Sequence, residues 1–348
     1  MADSATTMSV DRTIGERLRQ RRERLQISIG AVCNNNCLFC MEEDRDDRER
    51  HNSAMTGERV RWMLETYRDA EEVCFTSGEP TTRSELPTYV AWAKELGFSR
   101  ISVITNGRRL SHLPYAAALA RAGVGRFYVS VHGHAASVHD GLTRTPGSFE
   151  QTVAGLTSVA RLKGRGVELH SSTVVTKRNL GALGEIYRFL RGRGVDQVVF
   201  NVLQANGRAD THFDALFPPY AEIVARFVAL LRGLDEPRAP VFLVDAPLCT
   251  TEAVPDEHRG FVERYRNFYL DGGHGLHADA EGHVTEGKPR GLVVLTGQDL
   301  ADAARAKRAE CARCRYDALC DGVWTNYVRR YGWGELAPVV DAAAQKAR

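Results

Sequence analysis

The chain lacks an excess of charge of either sign: 46 Lys and Arg stand against 44 Asp and Glu, so the net charge is +2 over 348 residues. That balance gives no electrostatic case for nucleic acid or an anionic membrane as the main partner. Long apolar runs are also absent, and none approaches the ~20 residues that cross a bilayer. The opening residues, Met1 to Val10, lack the basic-then-apolar pattern of a secretory signal, so the expected location is the cytoplasm. What remains is an ordinary globular mix, 43% hydrophobic and 26% charged, long enough for one large domain or two modest ones.

Cysteine is the informative residue. There are 8: Cys33, Cys37, Cys40, Cys74, Cys249, Cys311, Cys314 and Cys320. Clustered cysteines in a chain expected in the cytoplasm argue for metal ligation or redox chemistry over structural disulfides.

Residues 1–25 form an Arg-rich segment with interspersed Glu, expected as a solvated helix. Short β-branched runs then alternate with amphipathic stretches. The expected strands are Leu25–Val32, Glu72–Thr76, Arg100–Thr105, Arg126–Val131, Val167–Val175 and Gln197–Leu203. Helices are expected near Gly57–Ala70, Ser84–Leu96, Ser111–Ala122, Ser148–Lys163 and Asn179–Arg193. Thr56, Ser84 and Ser148 stand at N-cap positions, and Gly97, Gly123, Gly164 and Gly194 stand where helices should stop. This alternation predicts an α/β parallel sheet, open or curled into a barrel. A further helix is expected at Tyr220–Leu231, then a linker. The boundary falls near residues 233–245, dividing a domain over 26–232 from a second over 233–348. A helix at Gln298–Arg308 is expected in the latter.

Cys33, Cys37 and Cys40 form C-x3-C-x2-C directly after the first strand. Three thiolates can hold three irons of a [4Fe–4S] cube and leave the fourth without a protein ligand. A zinc loop lacking its fourth ligand is the structural alternative. Other polar motifs follow the later strands: Ser77-Gly78-Glu79-Pro80, Thr105-Asn106-Gly107 and Ser130-Val131-His132-Gly133. Strand ends are where barrel active sites gather.

This set resembles the radical S-adenosylmethionine (SAM) enzymes. Their cysteine loop has this spacing, with an aromatic or bulky apolar residue where Phe39 stands. Their Gly-Gly-Glu-Pro segment corresponds to Ser77–Pro80, with Ser in place of the first Gly. The resemblance spans roughly residues 26 to 207 and implies a partial (β/α)6 barrel. It also implies that Cys33, Cys37 and Cys40 hold a [4Fe–4S] cluster whose open iron is chelated by SAM. The electron would come from an external donor of flavodoxin or ferredoxin type, and reductive cleavage would give a 5′-deoxyadenosyl radical that abstracts a substrate hydrogen. By the same resemblance, Ser77, Gly78, Glu79 and Pro80 would accept from the SAM ammonium. Thr105, Asn106 and Ser130 would meet its carboxylate or ribose, Phe39 would lie against adenine, and Asn201 and Leu203 would stand on the adenine side. His132, His170, Gln204, Asn206 and Arg208 are candidate substrate contacts. His132, His134 and His139 could alternatively form a metal triad.

Near the C-terminus, Cys311, Cys314 and Cys320 form C-x2-C-x5-C, and Cys249 is the one other cysteine of that domain. The region resembles the SPASM extension, or its shorter relative twitch. Leu276 to Glu286 looks like the SPASM hairpin, but Glu286 and Trp324 stand where cysteines belong. The resemblance thus implies one retained auxiliary [4Fe–4S] cluster on Cys249, Cys311, Cys314 and Cys320, with zinc as the alternative. Cys74 reads as a buried structural thiol, or as a hydrogen-atom donor.

The expected activity is hydrogen abstraction, net oxidative, from a peptide or small molecule in a biosynthetic pathway. No peptide-binding domain is expected before the barrel, so a leader peptide would use the barrel mouth or another protein. The alternatives are an RNA-modifying radical SAM enzyme and a non-enzymatic iron–sulfur or zinc protein for electron transfer or regulation.

Overall fold

A computed structural model of the chain describes residues 24–40, 55–68, 70–205, 207–235, 239–253, 276–278, 284–286, 305–317, 320 and 322–340. The Arg-rich helix expected before residue 24 and the candidate Asn206 lie outside them.

Six strands form where the sequence pattern places them, β1 (Arg24–Ser28), β2 (Glu72–Thr76), β3 (Arg100–Thr105), β4 (Arg126–Ser130), β5 (Glu168–Val175) and β6 (Gln197–Val202), although β1 ends four residues before the expected Val32. Each pairs in parallel with the next, as strands joined by helical crossovers must. β7 (Val241–Val244) pairs in parallel with β6. The sheet therefore continues past residue 232, where a linker was expected, because four consecutive buried apolar residues fit a strand covered on both faces. At the other edge β1 pairs with β8 (Leu276–Ala278), which turns back antiparallel onto β9 (Val284–Glu286). The hairpin expected over 276–286 is thus present. The sheet order is β7-β6-β5-β4-β3-β2-β1-β8-β9. Among the described strands the sheet is open, with β7 and β9 as its ends; no pairing closes it into a barrel.

The helices are α1 (Gly57–Thr66), α2 (Leu86–Glu95), α3 (Leu113–Ala122), α4 (Ala136–Thr143), α5 (Ser148–Ala160), α6 (Leu183–Arg191), two single turns α7 (Arg208–Thr211) and α8 (Phe213–Leu216), and α9 (Tyr220–Arg232). Sequence periodicity carries the long ones: α6 buries Leu183, Ile186, Tyr187 and Leu190 at i, i+3, i+4 and i+7. Thr56 caps α1 by accepting from the Arg59 N–H at 3.3 Å. Ser84 and Ser148 do not cap. Ser84 donates to Glu85, and α2 starts at Leu86 with a proline in its first turn. The Ser148 hydroxyl is held by Asp140, whose carboxylate itself caps α5 by accepting from Gly147 N and Phe149 N at 2.8 and 2.7 Å. Gly123 ends α3 with φ +139°, whereas Gly164 lies in a separate 3-10 turn beyond α5. Helix α4 is additional to the expected set.

The strands' N-terminal end is polar. Glu72 faces Arg100 and Arg126, and Arg126 faces Glu168, which contacts His170 at 3.3 Å. His170, expected near the substrate, belongs to this far end; two residues into β5, it pairs in register with Tyr128, two residues into β4, and with Gln197, the first residue of β6. Cys74 is fully buried within β2, consistent with a structural thiol.

In the C-terminal region, Arg305–Ala306 form a strand (β10) antiparallel to β11 (Val323–Trp324), and α10 spans Thr325–Tyr331. The expected helix at Gln298–Arg308 is corrected at its end, where Arg305–Ala306 are extended; its residues before 305 lie outside the described set. Tyr327 joins this region to the sheet domain. Its ring packs 4.2 Å from that of Tyr220, and its hydroxyl accepts from Tyr220 N at 3.0 Å.

Candidate functional site

A cleft of about 1150 Å³ opens at the C-terminal ends of the parallel strands. Cys33, Cys37, Phe39, Cys40, Ser77, Gly78, Glu79, Thr105, Asn106, Ser130, Asn201 and Leu203 all line it. Among the residues expected to bind cofactor, Pro80 is the exception; it is buried and opens the 3-10 turn Pro80–Thr82 behind Glu79.

The three sulfurs face one another closely enough to interact. The Cys37 thiol is pushed up to about 12 by burial, then by Cys40 and Cys33, while Arg208 pulls it down. A buried Cys37 thiol beside Cys33 and Cys40 makes a donor set whose charge a bound cation would relieve. The donor set fits a cluster that spreads its ligands over several irons. Among the described residues, no three His, Cys, Asp or Glu side chains gather tightly enough for one metal ion. The histidines do not form a triad either: His132 N donates to His139 Nδ1 at 3.1 Å, and the two rings stack at 5.6 Å. Burial holds His132 well below the usual imidazole range and His139 down to about 4, so both stay neutral near pH 7.

Local chemistry shapes the cleft. Ser77 (φ +73°) and Gly78 (φ +54°) are successive left-handed residues. A side chain on Gly78 would meet the Ala31 and Val32 backbone at 2.5–2.6 Å, so glycine lets this turn lie on the segment that leads from β1 into the cysteine loop. Glu79 N then donates to Val32 O at 2.9 Å. The Glu79 carboxylate accepts from Thr81 N, Thr81 Oγ1, Thr105 Oγ1 and Asn106 N at 2.5–3.1 Å. Complete burial raises its proton affinity, and these four donors oppose that. Glu79 and Thr105 thus tie two strand-end turns together inside the protein, a role the sequence did not reveal. Asn106 reaches further: its Nδ2 donates to Asn34 Oδ1 at 2.6 Å, and its backbone oxygen accepts from Thr152 Oγ1 at 2.9 Å.

The opposite wall comes from β4, β5 and β6. Ser130 pairs in register with Ser172, and Ser172 Oγ accepts from Asn201 Nδ2. Asn201 Oδ1 is buried with no hydrogen-bond partner among the described residues. Phe39 lies edge-on to His132 at 4.7 Å. Gln204 and Asp245 also line the cleft, and Gln204 Nε2 donates to Asp245 Oδ2 at 3.3 Å. Asp245, at φ +63° just after β7, carried no sequence signal. Two arginines missed as loop contacts hold the cysteine loop. Arg108 reaches Asn34 O and Asn35 Oδ1, and Arg208 reaches the Asn36 backbone and side-chain oxygens.

A second, apolar cavity of about 410 Å³ is lined by Cys249, Cys311, Cys314 and Cys320. Burial pushes the Cys249 thiol up to about 12, and Cys320, Cys314 and Cys311 add to the rise. The four sulfurs, spread over 71 residues of sequence, are therefore neighbours and fit a multi-iron donor set. Glu252 accepts from Arg315 Nη2 and Tyr316 Oη at 2.7 and 2.6 Å and clips the Cys249 turn to the Cys314 turn.

A parallel α/β sheet thus bears a three-thiol loop and polar strand ends around one cleft. Residues 27–190 match the family model described as the Radical SAM superfamily. That superfamily uses a [4Fe–4S] cluster and SAM. The chain is 28% identical over 179 residues to an AdoMet-dependent heme synthase of Oleidesulfovibrio alaskensis, 51% of this chain and 44% of that protein. It is 26% identical over 201 residues to a protein of Sulfurisphaera tokodaii named Probable GTP 3′,8-cyclase, 57% of this chain and 62% of that one. The matches thus span about half the length of these curated relatives. The fold is similar to Streptococcus suis SuiB bound to S-adenosylmethionine, with a TM-score of 0.60 at 15% identity over 93% of this chain and 77% of that one. It is also similar to anSMEcpe with bound AdoMet and a peptide, with a TM-score of 0.57 at 16% identity over 92% and 93%. Among the described residues no helix is long and apolar enough to cross a membrane.

Proposed function

We propose that this protein reductively cleaves SAM and abstracts a hydrogen atom from a peptide in a net oxidative biosynthetic step. The observation that carries the reading is the convergence of Cys33, Cys37 and Cys40 with the strand-end polar groups in one cleft. When bound, the [4Fe–4S] cluster and SAM supply one-electron cleavage of the sulfonium and a 5′-deoxyadenosyl radical. The three thiols would hold the cluster. Ser130, Ser172 and the Asn201 carboxamide oxygen, unpartnered among the described residues, offer hydrogen bonds to ribose or adenine donors. Phe39 and Leu203 supply apolar wall that excludes water from a reactive intermediate. His132, uncharged and engaged by Val174 N at 3.3 Å, packs without adding a charge. Cys249, Cys311, Cys314 and Cys320 would hold an auxiliary cluster able to accept an electron from a substrate radical, which supports the oxidative reading.

The curated relatives are named for heme synthesis and GTP cyclisation, whereas SuiB and anSMEcpe have each been solved with a peptide bound. The peptide reading is favoured because the structural likeness covers 92–93% of the chain, whereas the sequence matches cover 51–57%. The test is anaerobic reconstitution, reduction with dithionite or flavodoxin, and chromatography for 5′-deoxyadenosine. Cys33→Ala, Cys37→Ala or Cys40→Ala should each abolish the product. Undiminished product from these variants would refute the assignment, and lack of deuterium transfer from labelled candidate peptides would refute the peptide class.

A further inference from the structure

We infer that Arg108 and Arg208 are positioning residues that grip the cysteine loop from both sides and raise the reduction potential of the cluster it would hold. The inference rests on the radical SAM reading of that loop.

The segment Cys33–Cys40 contains no charged side chain of its own. Among the described residues, two arginines on distant turns bring positive charge against it. Arg108, just beyond β3, places Nη1 on Asn34 O and, at 3.0 Å, on Asn35 Oδ1; its Nε is braced by Gln151 Oε1 at 2.7 Å. Arg208 starts α7 beyond β6. Its backbone N–H donates to Cys40 O at 3.0 Å, and its Nη1 donates to the backbone and side-chain oxygens of Asn36. Each of the three asparagines between Cys33 and Cys37 therefore has an oxygen on a guanidinium, and the loop is held against both neighbouring turns.

A guanidinium presents a fixed positive charge on a rigid fork of donors. Cluster potentials depend on net charge and hydrogen bonding around the sulfurs. Reduction adds one electron from an external one-electron donor; no bond forms or breaks, and the cluster gains one negative charge. Fixed cations beside the loop favour the more negative form, which makes the electron easier to place.

The experiment is an EPR-monitored redox titration of the reconstituted full chain, with iron and sulfide counted in parallel. The signal perturbed by added SAM identifies the cluster with the open iron. Arg208→Gln should shift the midpoint negative by enough to lower the reduced-to-oxidised ratio at fixed potential about tenfold, ~59 mV for one electron. Arg108→Gln should shift it in the same direction, and Arg208→Lys, which keeps the charge but not the two-point grip, should stay near wild type. Fully loaded Gln variants with the wild-type midpoint would overturn the inference, as would a Lys variant shifted as far as Gln. Should Arg208→Gln fail to load, the loaded Arg208→Lys and Arg108→Lys variants decide: an unchanged midpoint supports the role of charge, and a tenfold shift overturns it. A wild-type chain that assembles no SAM-responsive cluster would defeat the radical SAM reading itself, whereas a loaded wild type with insensitive variants defeats this inference alone.

Discussion

Ser77 shows how one residue can carry strain for a site. It occupies the left-handed region at φ +73°, where a Cβ costs roughly 1–2 kcal/mol relative to glycine. The turn is fixed there because Gly78 lies on the Ala31–Val32 backbone and Glu79 N is bonded to Val32 O. Ser77→Gly should therefore stabilise the chain by about 1 kcal/mol, less the extra freedom glycine has when unfolded. Urea titration of the two forms checks this. A destabilised glycine variant would mean that the Ser77 side chain contributes more than its backbone strain costs. Glu79 illustrates the complementary case. Its type and place in Ser-Gly-Glu-Pro suggested a ligand contact, yet its oxygens hold Thr81, Thr105 and Asn106. A motif reports that a residue type is required without saying whether it faces the ligand or the protein.

The strands position this machinery by presenting it at one end and sealing the other with charge. At the sealed end, Glu168 is held down to about 2 by the His170 hydrogen bond, then by Arg126, against a desolvation that acts the other way. A carboxylate depressed in the folded state adds stability above its ordinary value near 4.5, and that contribution disappears as the pH falls through about 2. Glu168→Gln should accordingly melt below wild type at pH 6, with the difference shrinking progressively between those two values. Thermal denaturation across that range measures it; a constant difference would exclude the ion pair as the cause. The group is half exposed, so the effect should be modest and should weaken with added salt. At the functional end, helix α5 approaches the Thr105–Gly107 turn so closely that a Cβ on Gly155 would lie 2.2 Å from Gly107 O. This contact, with Thr152 on Asn106, fixes the third strand-end motif against its crossover helix.

The molecule as a whole carries two thiol sites, one at the mouth of the sheet and one in the C-terminal region. Arg305 links the two surroundings: it faces Asp245 of the cleft at 3.8 Å and lies 4.5 Å over the Trp324 ring, next to Val323 of the four-cysteine cavity. If both sites hold [4Fe–4S] clusters, Cys311→Ala combined with Cys314→Ala should lower bound iron from about eight to about four per chain and spare the SAM-perturbed EPR signal. Unchanged iron with loss of about one zinc per chain would instead mark the four-thiol site as structural zinc.

The sequence by itself determined the six strands β1 to β6, the spacing of Cys33, Cys37 and Cys40, and the placing of Ser77, Asn106 and Ser130 just at or after strand ends. These depend on short-range periodicity and fixed local offsets, which the chain displays directly. Tertiary structure decided which distant groups became neighbours. It brought Arg208 to Asn36 across 172 residues, seated Cys249 among Cys311, Cys314 and Cys320, added Val241–Val244 to the sheet, and lent Asp140 to cap α5 in place of Ser148. It also sent His170 to the end of the strands opposite the cleft. Such pairings arise from how crossovers stack elements in space. No periodicity encodes them, because a residue's place along the chain does not specify which remote backbone group the fold will set beside it.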